Sequence, residues 1–357
     1  MDDRHFSFLK ELVETPSPSG FEQPAQRIIR REIEPVCDEL RTDVMGNVIG
    51  CIRGTADNPV KVMLAGHCDE IGLMVRYIDD NGFLYFAPIG GVDAHLVPGQ
   101  RVHVHGSGGR SVLGVIGKKP IHMMEPKERE NVVKFKSQFI DIGCSSREEA
   151  QKLVAIGDPA TFAVGLERVE GDRAISRAFD DKMGAFIVAR VLQEIRRRGA
   201  AEASLYGVTT VQEEIGLRGG ATSVYGVDPD VGIAVEVGFA TDFPDIDKKE
   251  AGETKLGAGP IITRGPNINP ALFEMLLQTA REEEIPYQVS GQPRATGTDA
   301  NVMQLSRGGV ATALVSVPLR YMHTPVEMLC LADLENTVRL LAGLMARIRD
   351  REAFIPN

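Results

Sequence analysis

The apolar positions along this chain keep two rhythms, one helical and one of short runs, except in one long stretch. Phe6, Leu9, Leu12 and Val13 stand at helical spacing over residues 4–14, and TPSPSG at 15–20 stops that helix. A second helix is expected over 22–33, with Ile28, Ile29 and Ile33 on its apolar side. Short β-branched runs at 47–52, 62–65, 206–211, 231–237 and 310–317 read as strands. A helical pattern over 181–198 carries Met183, Ile187, Val191 and Ile195 at steps of four and ends at Gly199. Further helices are expected over 269–284 and 332–349, the last with Asp333 as its cap. Strands alternating with helices predict an α/β fold: a mostly parallel, doubly wound sheet with helices on both faces.

Residues 73–165 break the pattern. Alternating pieces at 83–86, 101–105, 111–116 and 161–164 are separated by many glycines, and only 146–156 looks helical. This predicts a small antiparallel β-barrel or sandwich, inserted between the halves 1–72 and 166–357 of one α/β domain.

Composition narrows the function classes. A net charge of −10 with no long basic run argues against nucleic acid as a partner; the three arginines 196–198 suit the negative end of a helix. No apolar run of about 18 residues exists, so no membrane span is expected. The start, MDDRHFSFLKEL, lacks the apolar core of a secretory leader. Five scattered cysteines (37, 51, 68, 144 and 330), odd in number and without CxxC spacing, suggest reduced thiols and a cytoplasmic protein.

Five segments share one feature: each delivers a His or a carboxylate at the end of a strand or the start of a helix. They carry His67 with Asp69, Asp180-Asp181, Glu213-Glu214, Glu236, and His323. Each has an ordinary explanation taken alone, such as a solvated loop acid or a charge at a helix N-terminus. Glu236 resists it, because it interrupts the apolar run AVEVG, and a buried carboxylate without a partner costs several kcal/mol. Divalent cations bound by imidazole and carboxylate would answer that need. Three carboxylates, two neutral histidines and one hydroxide balance two dications and leave one acid free to act as a base.

GHCDEIG, AFDDKMG, VQEEIGLRGG, AVEVG and YMHTPVE, in this order, resemble the motif series of the tetrahedral deblocking, or glutamyl-type, aminopeptidases. The likeness covers nearly the whole chain and includes GGVD at 90–93 and PGQRV at 98–102. It implies a cytoplasmic enzyme with two divalent metals, zinc or cobalt, that removes N-terminal residues from short peptides. It implies that His67 and Glu236 bind one metal, that Glu214 and His323 bind the other, and that Asp180 bridges them. Asp180 is preferred to Asp181 because related peptidases place a Gly four residues after the bridging Asp, as Gly184 is here. The resemblance makes Glu213 the general base and Asp69 the carboxylate that orients His67 through its far nitrogen. It makes the insert a PDZ-like dimerisation domain, with dimers assembling into a hollow dodecamer. One departure stands out: the family usually has Asp where this chain has Glu236. Cys68, between His67 and Asp69, is read as core, and His103 and His105 as structural. His95 is a further candidate, reaching toward a neighbour's site. Thr298-Asp299 resembles a loop near the family's substrate pocket.

Two rival readings accompany this one. Glu236 and Arg320 suggest an amidohydrolase or deacylase acting on N-acyl amino acids, with Arg320 holding a carboxylate bidentately. A non-catalytic assembly protein would need a lost ligand or base, and every such position is filled.

Overall fold

A computed structural model describes residues 1–199 and 201–356, the Ser107 side chain apart. The main sheet has eight strands. Those beginning at Glu39, Val48, Ser204, Lys61, Val231, Ala311, Ile261 and Gln288 lie in that order. The central four, Ser204–Thr210, Lys61–His67, Val231–Phe239 and Ala311–Leu319, run parallel. They are buried almost throughout, which is why they read as continuous apolar runs. Antiparallel pairings join the outer strands at Glu39–Thr42, Val48–Ile52 and Ile261–Arg264.

Helices cover both faces, as expected. Asp3–Glu14, Gln23–Ile33, Phe179–Arg198, Pro270–Glu282 and Leu331–Met345 contribute to one large core. A smaller core joins Val224 and Val227 of the helix Arg218–Val227 and Met303 of Asp299–Met303 to Ile49, Met63 and Val208. Gly184 lets Phe179–Arg198 lie directly on the sheet, because a Cβ there would collide with the Val235 carbonyl and the Asp181 carboxylate. Asp180 and Asp181 lie at the start of this helix with non-helical dihedrals and a cis peptide bond between them.

Six strands between Gly72 and Phe162 close into an antiparallel barrel with its own core, built on Leu73, Val75, Val102, Val104 and Ile140. The expected 146–156 helix is shorter, Arg147–Gln151, and helical turns also occur at Ile121–Met123, Pro126–Arg129 and Phe135–Ser137. A three-stranded sheet of Glu167–Val169, Arg173–Ser176 and Glu327–Cys330 was not anticipated from the sequence. Asp333 is not the cap of the last helix. The cap is Cys330, and the Asp333 carboxylate instead accepts the N–H groups of Gly257 and Gly259 at 2.7 and 2.8 Å. Among the described residues no helix is long and apolar enough to cross a membrane.

Candidate metal centre

The carboxyl ends of parallel strands share one edge of an open sheet, and that is where ligand-binding groups collect. His67 ends its strand, and Glu213 and Glu214 follow the next one. Glu236 lies near the end of the third, and His323 follows the fourth. The start of Phe179–Arg198 brings Asp180 among them.

Asp180 stands at the centre. One of its oxygens lies 3.2 Å from His67 Nε2 and the other 3.2 Å from His323 Nε2. His67 Nε2 is 3.6 Å from Glu236 Oε2 and 3.7 Å from Glu213 Oε2. His323 Nε2 is 3.5 Å from Glu214 Oε2. The donor atoms of His67, Asp180 and Glu236 lie within 4.8 Å of one another, and so do those of Asp180, Glu214 and His323. Asp181 faces elsewhere, accepting the backbone N–H groups of His67 and Gly184.

The imidazoles are fixed from behind. His323 Nδ1 faces the Gly91 carbonyl at 3.0 Å. That approach needs glycine, since a Cβ on Gly91 would stand 2.7 Å from the ring nitrogen. His67 Nδ1 lies 3.1 Å from the Asp69 carbonyl and 3.4 Å from its carboxylate, so the carbonyl is the nearer acceptor. The Asp69 carboxylate has a larger task than orienting His67. It accepts the N–H groups of Glu213 and Glu214 at 3.0 and 3.2 Å and the Ser19 hydroxyl at 2.7 Å, holding the turn that presents both glutamates.

Carboxylates outnumber cations here, and without metal the groups share protons. Burial pushes Glu213 up to about 8, opposed by His67 and reinforced by Asp299, Asp180 and Asp69. Burial pushes Glu214 to about 8 as well, with Asp180 adding to it. Glu236 is raised well above the carboxylate range by burial and then by Asp181. The hydrogen bond to Asp180 raises His323 to about 9. Burial works against a charged His67, but Glu213 and Glu236 outweigh it and raise its pKa. Glu214 Oε1 and Glu236 Oε1 are buried and have no hydrogen-bond partner among the described residues. An oxygen buried without a donor is costly, and a cation would satisfy both. The donor set of imidazole nitrogen and carboxylate oxygen suits zinc-like ions.

The sequence model of the M42 glutamyl aminopeptidases matches residues 46–340. The chain belongs to this family. It is 40% identical to the lysyl aminopeptidase of Pyrococcus furiosus over 347 residues, which is 96% of this chain and 97% of that one. It superposes on a TET aminopeptidase from a marine-sediment thaumarchaeon with a TM-score of 0.93 and 36% identity, covering 99% and 98% of the two chains. A TET peptidase of Pyrococcus horikoshii, described as assembling into a tetrahedron or a large octahedral shell, is 29% identical with a TM-score of 0.85, covering 96% and 100%. Membership makes the chain an aminopeptidase.

In this M42 chain several supporting residues escaped the sequence reading. Glu327, 2% exposed, accepts the N–H of Asp180 at 3.1 Å through one oxygen and that of His323 at 3.2 Å through the other. Its place four residues after His323, at the end of YMHTPVE, was visible, but nothing local marked it as buried. Glu22, 3% exposed, accepts the N–H of Gln212, the residue before Glu213. Asp299, which the sequence did single out with Thr298, is fully buried and accepts the Thr210 hydroxyl at 2.7 Å. Cys68 lies in the core, as expected. His103 and His105 face Ser111 and Thr161 on the barrel, and His95 is exposed. Arg320 is held by both oxygens of Asp242 at 2.8 Å, so it is not free to grip a substrate carboxylate and the deacylase reading loses that support.

Proposed function

We propose that this aminopeptidase removes N-terminal residues from short peptides with two divalent metal ions, zinc or cobalt. His67 and Glu236 would hold one ion, Glu214 and His323 the other, with Asp180 shared. When bound, the ions supply Lewis acidity toward the scissile carbonyl and make an attacking water more acidic. The observation that carries this reading is the single carboxylate, Asp180, whose two oxygens each face a different imidazole, flanked by buried oxygens of Glu214 and Glu236 without partners.

The remaining steps belong to the chain itself. Glu213 has a side chain 10% exposed and stands beside His67. As general base it takes the proton of the attacking water on its carboxylate and passes it to the leaving amine. Asp69 keeps Glu213 and Glu214 in place through their backbone N–H groups. Asp181 and Glu327 do the same for the backbones of His67, Asp180 and His323.

The assembly and setting form part of the same reading. The barrel within residues 73–165 is proposed as a dimerisation domain. Likeness to a TET peptidase solved as a dodecamer, 29% identical with a TM-score of 0.85, supports dimers gathered into a dodecamer, which would admit only short or unfolded peptides. Five free cysteines, three of them buried, support a reducing, cytoplasmic location.

The test is chelation. Dialysis against excess chelator should abolish hydrolysis of aminoacyl substrates, and zinc or cobalt should restore it, with two ions per subunit by elemental analysis. Full activity in excess chelator would refute the metal mechanism.

A further inference from the structure

A cavity lies beside the centre that the roles above do not use. Side chains two residues apart on a strand share a face, so Gly238 lies on the same face as Glu236. Ser316 is the register partner of Glu236 on the adjacent parallel strand, and Ile261 pairs with Ser316 from the other side. Gly238 has no side chain, and a space of about 210 Å³ opens at that point. A Cβ on Gly238 would reach into it, 2.8 Å from Ile261 Cδ1 and 3.0 Å from Ser316 Cβ. Buried Ile261, Thr263, Leu314 and Ser316 form the floor. Thr298 contributes to the wall and directly precedes Asp299, which bonds the end of the strand leading to Glu213 and Glu214. Two of the elements that line the cavity thus lead directly to the acid cluster.

Among the described residues, none lining this space is charged. Its walls offer methyl groups, hydroxyls, the ring of Phe239 and the side-chain amide of Gln292. At about 30 Å³ per water in the liquid, it has room for about seven waters, enough for a medium-sized side chain. An ionised side chain entering it would lose water and meet no counter-charge, whereas an uncharged one gains contact with Ile261 and Leu314. A lysyl or glutamyl preference would call for an acidic or a basic residue in that wall, and none stands there.

We propose that this cavity receives the side chain of the substrate's N-terminal residue, and that its neutral lining selects uncharged, medium-sized residues such as Leu and Met over Lys, Arg, Asp and Glu. The proposal rests on the aminopeptidase reading above and gives it a substrate class.

The experiment uses the full-length, metal-loaded protein and a series of aminoacyl nitroanilides. kcat/KM for Leu and Met should exceed that for Lys and Glu by about 100-fold or more, the upper end of the discrimination expected when a buried polar group is left unpaired. Inhibition by free leucine, lysine and glutamate should follow the same order. Ser290→Asp places a carboxylate in the wall and should narrow the Leu-to-Lys ratio by at least about tenfold. Thr296→Asp makes the same test should the first variant fail to fold. A parent enzyme that prefers Lys or Glu, or an acidic variant with an unchanged ratio, would overturn the pocket assignment while aminopeptidase activity stands. Absence of turnover on every aminoacyl substrate would remove the underlying reading, and this proposal with it.

Discussion

Asp69 and Glu70 are chain neighbours and both are buried, yet they belong to charge clusters of opposite balance. Glu70 meets two cations. Arg177 Nη1 and Lys182 Nζ both bond its carboxylate, and its Oε1 also accepts the Ser17 N–H. The cations in turn donate to the carbonyls of Glu14 and Thr15. Burial would raise Glu70, but Arg177 and Lys182 overcome it and hold the carboxyl at about 2. Burial lowers Lys182 to about 8, so it remains charged at neutral pH. Asp69 belongs instead to a set where, among the described residues, Asp180, Glu213, Glu214 and Glu236 face two imidazoles and Asp181 is buried beside them. The first cluster is complete within the chain and ties the 13–17 segment to the Asp180 loop. The second is left in surplus of negative charge, the condition under which a site holds protons or metal. Burial alone does not separate a structural ion pair from a candidate active centre; the local charge balance does.

Substitutions in the two clusters should therefore differ in kind. The largest effect is expected for Glu213→Gln, which removes the proposed base and none of the proposed ligands. Turnover should fall by about 10²- to 10⁴-fold, with metal content unchanged by elemental analysis. Equal losses of turnover and metal would place Glu213 among the ligands instead.

Glu70→Gln should act on stability. It leaves two cations buried with one neutral partner, a change that costs about 3–5 kcal/mol, read as a lowered denaturant midpoint. The same change at Glu236, in metal-free protein, removes one of an excess of acids, and the midpoint should hold or rise. If both variants lose stability alike, the contrast between the clusters fails.

Glu327→Gln tests the support of the centre. An amide cannot accept from both the Asp180 and the His323 N–H as a carboxylate does. Metal affinity should fall by about 10- to 100-fold, measured by competition with a coloured chelator.

The smallest effect concerns pH. Without metal, Glu213 and Glu214 lie near 8 and His323 near 9, all above their unfolded values. A group whose pKa is raised on folding contributes stability below its unfolded pKa and loses it as pH rises through the folded value. The metal-free protein should thus lose thermal stability between about pH 4.5 and 9, most steeply from about 6.5 to 8, where all three groups contribute. The loaded protein should lose less, since metal replaces those protons. Calorimetry on both forms checks the sign.

Much of this was legible in the chain. The helical rhythm of Phe6 to Val13 and of Met183 to Ile195, and the continuous apolar strands, follow from local periodicity, which any buried helix or doubly covered strand must show. The ligand candidates were legible for a related reason: each sits where an apolar element ends, and Glu236 interrupts one. The supporting groups were not. Asp333 has the position of a cap, but it bonds Gly257 and Gly259, more than 70 residues away in sequence. Arg320 carries no local mark of its partner Asp242, 78 residues away in sequence. Glu22, Glu70 and Glu327 occupy polar loops or element ends whose burial depends on what packs over them.

Sequence by itself determined the alternation of strands and helices, the inserted run of short antiparallel strands and the identity of the groups at the strand ends, because these depend on neighbours a few residues away. Tertiary structure alone decided which oxygen faces which imidazole, which acids are matched by cations and which are left in surplus, and that a missing side chain at Gly238 opens a neutral space beside Glu236. Those outcomes depend on distances between segments separated by tens to hundreds of residues, and no local pattern encodes them.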